Sequence, residues 1–162
     1  MNVYAESSAV LAWLLGEQTG HSVRKVFQHA ELVMASDLTL VECDRVLIRA
    51  VTTGENDEAA VADRRAHLNA AASHWHLWRI TPDIVERARH PFPGEPIRAL
   101  DAIHLASALA VRSVVPGVEL LSLDDRIRRA AKQLGFHVQP QERAASLSAP
   151  DSAVLGGWPS VG

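Results

Sequence analysis

At 162 residues the chain is long enough for one well-buried core, and 48% hydrophobic against 22% charged residues is the composition of a globular domain. No apolar run approaches the roughly 20 residues of a membrane-spanning helix, and no basic segment leads the apolar Ala9–Leu15 run as in a signal peptide, so a cytoplasmic protein with no membrane association is expected. A net charge of −3 argues against nonspecific coating of nucleic acid, and the single Cys43 allows neither an internal disulfide nor a CxxC zinc site and reads as a buried thiol.

Asn2-Val3-Tyr4-Ala5 has the character of a short strand, after which Ser7 or Ser8 is suited to cap a helix running from Ala9 to Leu15 and stopped by Gly16. Glu6 therefore stands at a strand's carboxyl end. After Gly20, Val23, Val26 and Phe27 recur at helical spacing, and Leu32-Val33-Met34-Ala35 follows as a second strand. Ser36 or Asp37 opens the next helix, whose apolar face is formed by Leu38, Val41, Leu47 and Ile48, with Glu42 on or beside it. Gly54-Glu55-Asn56-Asp57 breaks the pattern before a long alanine-rich helix through Ala72.

The segment His74–Ile80 reads as a helix end followed by a strand, and Thr81-Pro82 as the start of another helix. Its Trp75 and Trp78 are expected to pack against the sheet rather than stack on bases, and His74 and His76 lack a third ligand for zinc. The proline-rich stretch 90–96 forms a rigid loop leading into Arg98–Ala110, an apolar, alanine-rich helix with one acid, Asp101, in its first turn. Taken alone, Asp101 is as well explained by capping and the helix dipole as by chemistry. Val118–Ser122 is a fourth strand, followed at once by Asp124 and Asp125. A helix from Arg126 to Leu134 then ends at Gly135, and Phe136-His137-Val138 is a last, edge strand. Arg126, Arg128, Arg129 and Lys132 read as a solvated helix face. One folded domain is expected to span residues 1–140, with 141–162 as a loose Ala/Ser/Pro/Gly tail in which Trp158 is the one anchor.

Short apolar strands alternating with helices imply an α/β fold, with right-handed crossovers and a mainly parallel sheet of about five short strands covered on both faces. Such sheets bind ligands beyond the strands' carboxyl ends. Glu6, Asp124 and Asp125, and Asp101 are therefore candidates for one rim, which Glu42 would complete. Clustered carboxylates repel one another unless a cation neutralises them, and oxygen ligands select hard ions such as Mg²⁺ or Mn²⁺. The chemistry that follows from such a centre is phosphodiester hydrolysis.

The segments Tyr4-Ala5-Glu6-Ser7-Ser8-Ala9, Val41-Glu42, Arg98-Ala99-Leu100-Asp101-Ala102-Ile103-His104-Leu105-Ala106 and Leu121-Ser122-Leu123-Asp124 together resemble those of the PIN-domain ribonucleases, particularly VapC-type toxins, over residues 2–139. The resemblance implies a three-layer α/β/α fold, usually a homodimer, and a Mg²⁺- or Mn²⁺-dependent endoribonuclease that acts as the toxin of a type II toxin-antitoxin pair and is inhibited by an antitoxin protein. It also implies a catalytic and metal-binding quartet of Glu6, Glu42, Asp101 and Asp124, with Ser8, beside the site, and Arg98 as substrate-binding residues, Arg98 through substrate phosphate. The family carries Asp where this chain has Glu6. The extra methylene moves the carboxylate by about 1.5 Å, so metal binding is expected to survive with reduced activity or a preference for Mn²⁺. The competing interpretation is a PIN-like protein with weakened catalysis acting as a binding or regulatory module. A Rossmann-like nucleotide-binding domain is disfavoured, because no Gly-rich turn follows the first strand.

Overall fold

A computed structural model of the protein describes residues 1–141; the expected tail and Trp158 lie outside the described residues. Five strands form one sheet: β1 (Asn2–Ala5), β2 (Leu32–Ser36), β3 (His76–Trp78), β4 (Glu119–Leu121) and β5 (Val138–Gln139). Their order is β3-β2-β1-β4-β5, and every pairing is parallel. Seven helices connect them: α1 (Ser7–Leu14), α2 (Gly20–His29), α3 (Asp37–Thr52), α4 (Glu58–Ala72), α5 (Pro82–Ala88), α6 (Ala99–Val114) and α7 (Asp125–Gln133). Among the described residues no helix is long and apolar enough to cross a membrane.

The side-chain period of two divides each strand between two cores. Tyr4 pairs in register with Met34 and with Leu120, and Leu120 with Val138; all four lie in the core shared with Ile84, Leu105 and Ile127 of α5, α6 and α7. Val3, Ala5 and Leu121 point the other way, into the core formed with Val10, Val23, Cys43, Leu47 and Leu68 of α1 to α4. Two helical layers thus sandwich the sheet, as expected for α/β/α. Cys43 is fully buried there, and burial pushes its thiol up to about 12, which suits a packing residue and not a nucleophile. The tight seating of α2 on α1 requires Gly20, where a Cβ would collide with the Ala12 carbonyl.

Chain order moves outward from β1 to β2 and β3, then returns to place β4 on the other side of β1. With right-handed crossovers, that reversal sends α1 to α4 to one face and α5 to α7 to the other, opening a crevice at the carboxyl ends beside β1. The entry to α6 is set by the loop before it, where the Glu95 carboxylate accepts from the backbone N–H groups of Phe92 at 3.0 Å and Ile97 at 2.5 Å.

Two local expectations are revised. Helix α1 is capped by Glu6, whose carboxylate accepts from the Ser8 N–H, rather than by Ser7 or Ser8. Phe136 is not in the last strand: Gly135 adopts φ +84°, the Phe136 N–H returns to the Ala131 carbonyl, and its ring enters the core. As expected, Trp75 and Trp78 pack in the fold, Trp75 on the core of α1 to α4 and Trp78 on that of α5 to α7; Trp75 is stacked on Phe27 with ring centroids 5.6 Å apart and lies 6.5 Å from Trp13.

Candidate active site

The carboxyl end of β1 delivers Glu6 in extended backbone conformation, φ −89° and ψ 157°, two residues after Tyr4 and therefore on the same face of the sheet. The side chain is 3% exposed, yet each of its oxygens has two donors. Oε1 accepts from Ser7 Oγ at 2.7 Å and from the Ser8 N–H at 3.0 Å, while Oε2 accepts from Ser122 Oγ at 2.7 Å and from Ser8 Oγ. A carboxylate has about four acceptor positions, so this one is saturated.

Ser8 carries the pattern on to the next element. Its hydroxyl donates to Glu6 and accepts from the backbone N–H groups of Leu123 at 2.9 Å and Asp124 at 3.1 Å. Ser8, expected among the substrate-binding residues, has its hydroxyl engaged within the protein, tying the end of β1 to the loop after β4. That loop is reinforced from below by Arg128. Grouped by sequence with a solvated face, Arg128 is 7% exposed and donates to the carbonyls of Ser122 at 2.7 Å, Gln139 at 2.8 Å and Pro140 at 2.9 Å. Carbonyls at the frayed ends of two strands need a donor, and the guanidinium supplies several.

Asp124 is the N-cap of α7; its Oδ1 accepts from the backbone N–H groups of Arg126 at 2.8 Å and Ile127 at 3.2 Å. Asp101, in the first turn of α6, faces it across Arg126, whose Nε lies 3.9 Å from Asp124 Oδ1 and 4.0 Å from Asp101 Oδ2. That Asp101 oxygen is buried and accepts no hydrogen bond. Burial, followed by the neighbouring charge of Asp124, holds the Asp101 carboxyl above its usual range against the opposing pull of Arg126.

Glu42 arrives from α3, half-buried, with Oε2 2.6 Å from Nε2 of His104 on α6. Burial works against its ionisation, but the hydrogen bonds from His104 and Ser7 outweigh it and hold the carboxyl below its usual range. The structure therefore gathers all four predicted acids at one rim in two groups. One is Glu6 and Glu42 with His104, whose ligand atoms lie within 4.8 Å of one another; the other is Asp101 and Asp124 about Arg126. Arg98 is exposed at the N-cap of α6 and makes no side-chain capping bond. Sequence reasoning assigns His104 no role; its signal is the spacing of three from Asp101, which puts both on one face of α6. His74 and His76 are exposed and take no part in the cluster.

The sequence matches the PIN domain over residues 3–133. The chain belongs to the PIN-domain family. Among curated relatives of this family, ribonuclease VapC46 of Mycobacterium tuberculosis is 32% identical over 136 residues, 84% of this chain and 95% of its own length. Ribonuclease VapC45 of the same species is 28% identical over 86% of this chain and 96% of its own length. The PIN fold is also that of M. tuberculosis VapC20, described as a sarcin-ricin loop cleaving toxin, which superposes with a TM-score of 0.58 at 18% identity, covering 80% of this chain and 95% of that one. A toxin-antitoxin complex from Klebsiella pneumoniae superposes with a TM-score of 0.54 at 18% identity, covering 76% and 87%.

Two outcomes follow from this geometry. Glu6→Asp, the change toward the family's usual acid, draws the carboxylate back by about one C–C bond, 1.5 Å, and strands buried hydroxyls, so it should cost about 1–3 kcal/mol in urea unfolding; unchanged stability would contradict the clamp. Because its folded carboxyl is raised, charged Asp101 opposes folding above that raised value, and the penalty fades as pH falls toward the unfolded value of about 3.9. Asp101→Asn should therefore raise the thermal midpoint at pH 7 and lose that advantage near pH 3, in thermal melts of both proteins without added metal.

Proposed function

We propose that the protein is a divalent-cation-dependent endoribonuclease of the VapC toxin type, hydrolysing RNA phosphodiester bonds at the rim formed by Glu6, Glu42, Asp101 and Asp124. The observation that carries this is the convergence of four acids from four distant segments, with one oxygen of Asp101 buried and without a hydrogen bond. Such a group fits a hard cation on chemical grounds. The donors are carboxylate oxygens, their repulsion is only partly offset by Arg126, and the single cysteine lies in the core.

Asp101 and Asp124, with Glu42 from the other group, are the residues suited to hold Mg²⁺ or Mn²⁺, and Glu6 closes the base of the site. When bound, the ion supplies an acidified water and charge stabilisation at the scissile phosphate. The chain's own residues do the rest. Glu42, held by its contact with His104, and Asp124, fixed by two backbone N–H groups, present their carboxylates to the site, and Arg126 and the exposed Arg98 are positioned to meet phosphate oxygens. Glu6 differs from the family's Asp and is saturated with internal donors, so its contribution is to build the rim.

The names of the relatives support RNA as substrate, and the Klebsiella complex supports inhibition by an antitoxin protein. A homodimer and a cytoplasmic location complete the proposal. Purified protein should cleave RNA with Mg²⁺ or Mn²⁺ and stop on EDTA addition. Asp101→Asn should lower the rate by about 10²-fold or more, whereas Glu58→Gln, on the exposed start of α4, should leave it unchanged. Absence of cleavage with either metal, or equal rates for wild type and Asp101→Asn, would overturn the assignment.

A further inference from the structure

The feature that the acid quartet leaves unused is a chain of buried polar groups beneath it. His104 is 1% exposed and Tyr4 is fully buried, and both sit in the apolar core between β1 and α6. Burying an imidazole and a phenol is unfavourable unless their polar atoms are paired. Both atoms of the imidazole are: Nε2 lies 2.6 Å from Glu42 Oε2, and Nδ1 lies 3.3 Å from the Tyr4 hydroxyl.

The direction of these bonds follows from the chemistry. A carboxylate offers only lone pairs, so the proton of the 2.6 Å contact belongs to Nε2. Glu6 Oε1 is 3.9 Å from the same nitrogen, beyond hydrogen-bond reach, and has two other donors already. On the other side of the ring, Nδ1 faces the Tyr4 hydroxyl, a group that can both donate and accept. Burial, the main influence on that phenol, keeps it protonated; the buried Ser36 and Ser107 hydroxyls beside it only partly oppose this. A nitrogen bearing its proton toward Glu42 has no lone pair for a cation. Proximity would make His104 the third ligand of a Glu6–Glu42–His104 centre, and the hydrogen bonding argues against that role.

We propose that His104 is a positioning residue: its Nε2–H fixes the orientation of the Glu42 carboxylate instead of ligating the cation, while the Tyr4 hydroxyl holds the ring from the Nδ1 side. Residues on three elements converge to do this. The strand spacing of two puts Tyr4 beneath Glu6, and the helical spacing of three puts His104 one turn beyond Asp101, so α6 furnishes both an acid and the group that orients an acid from α3. Partners that orient ligating groups are worth about 10–100-fold in metal affinity or activity.

This inference deepens the nuclease assignment and rests on it for its functional consequence, but its structural core is tested separately. Long-range ¹H–¹⁵N spectra of the imidazole rings in metal-free protein, with His104 assigned by its loss in His104→Gln, should show Nε2 protonated. Addition of Mg²⁺ should leave Nε2 protonated. Mn²⁺ titration by calorimetry should show affinity weakened about 10–100-fold in His104→Leu and largely retained in His104→Gln, whose amide donates from the position of Nε2. A bare Nε2, loss of the Nε2 proton on adding Mg²⁺, or equal Mn²⁺ affinity of folded Leu and Gln variants would overturn this role. If His104→Leu does not fold, the wild-type spectra before and after Mg²⁺ decide. Failure of wild type to bind Mn²⁺ or cleave RNA would sink the nuclease assignment while the metal-free spectra still judge the protonation of Nε2.

Discussion

A carboxylate taken out of water must have its lone pairs filled, and the rim of this protein is built by filling those of Glu6. The donors come from the start of α1 and from Ser122 after β4, so the ends of the two central strands are bound to one anion. Because the Ser8 hydroxyl also accepts from Leu123 and Asp124, the same interaction sets the backbone that presents Asp124. The Glu6 N–H adds a bond to the Leu121 carbonyl at 2.9 Å. Removing the Glu6 charge would leave several buried donors without partners at once, and for that reason the longer acid is part of the architecture and not only a variant ligand.

Around this anchor the remaining acids are balanced differently. Glu42 is compensated by the imidazole that touches it, and its carboxyl falls below the usual range; Asp101 is not, and its carboxyl rises. Arg126 stands between Asp101 and Asp124 at about the limit of an ion pair, close enough to moderate their repulsion and too distant to bond the buried oxygen. A fold selected for stability alone would have no reason to keep that oxygen without a partner. Local cost of this kind is characteristic of sites whose electrostatics serve a ligand.

Much of the fold is legible in the sequence because it depends on local periodicity. The apolar runs of β1, β2 and β4, the proline-marked start of α5 and the small-residue face of α6 each follow from spacing and end signals. The meeting of Glu6, Asp101 and Asp124 follows from the parallel-sheet rule once the strands are placed, and Glu42 is brought in by the family resemblance. What escaped depends on contacts between distant segments. Arg128 is indistinguishable in sequence from its neighbours Arg126 and Arg129, and only the proximity of two strand ends makes it interior. Trp75 is drawn to Phe27 by the packing of α2 against the α4–β3 junction, which no local pattern encodes. His104 lies in an apolar helix where a histidine reads as a core residue; its importance appears only when Glu42 arrives from α3 and Tyr4 from β1.

The central claim is that these carboxylates form one cation site. Anomalous diffraction at the manganese edge from crystals equilibrated with Mn²⁺ tests it most directly. A peak at roughly 2.1 Å from an Asp101 oxygen is expected, with Asp124 or Glu42 completing the protein ligands and His104 Nε2 still on Glu42. A saturating Mn²⁺ soak with no peak at the rim, or a peak that excludes Asp101, would contradict it.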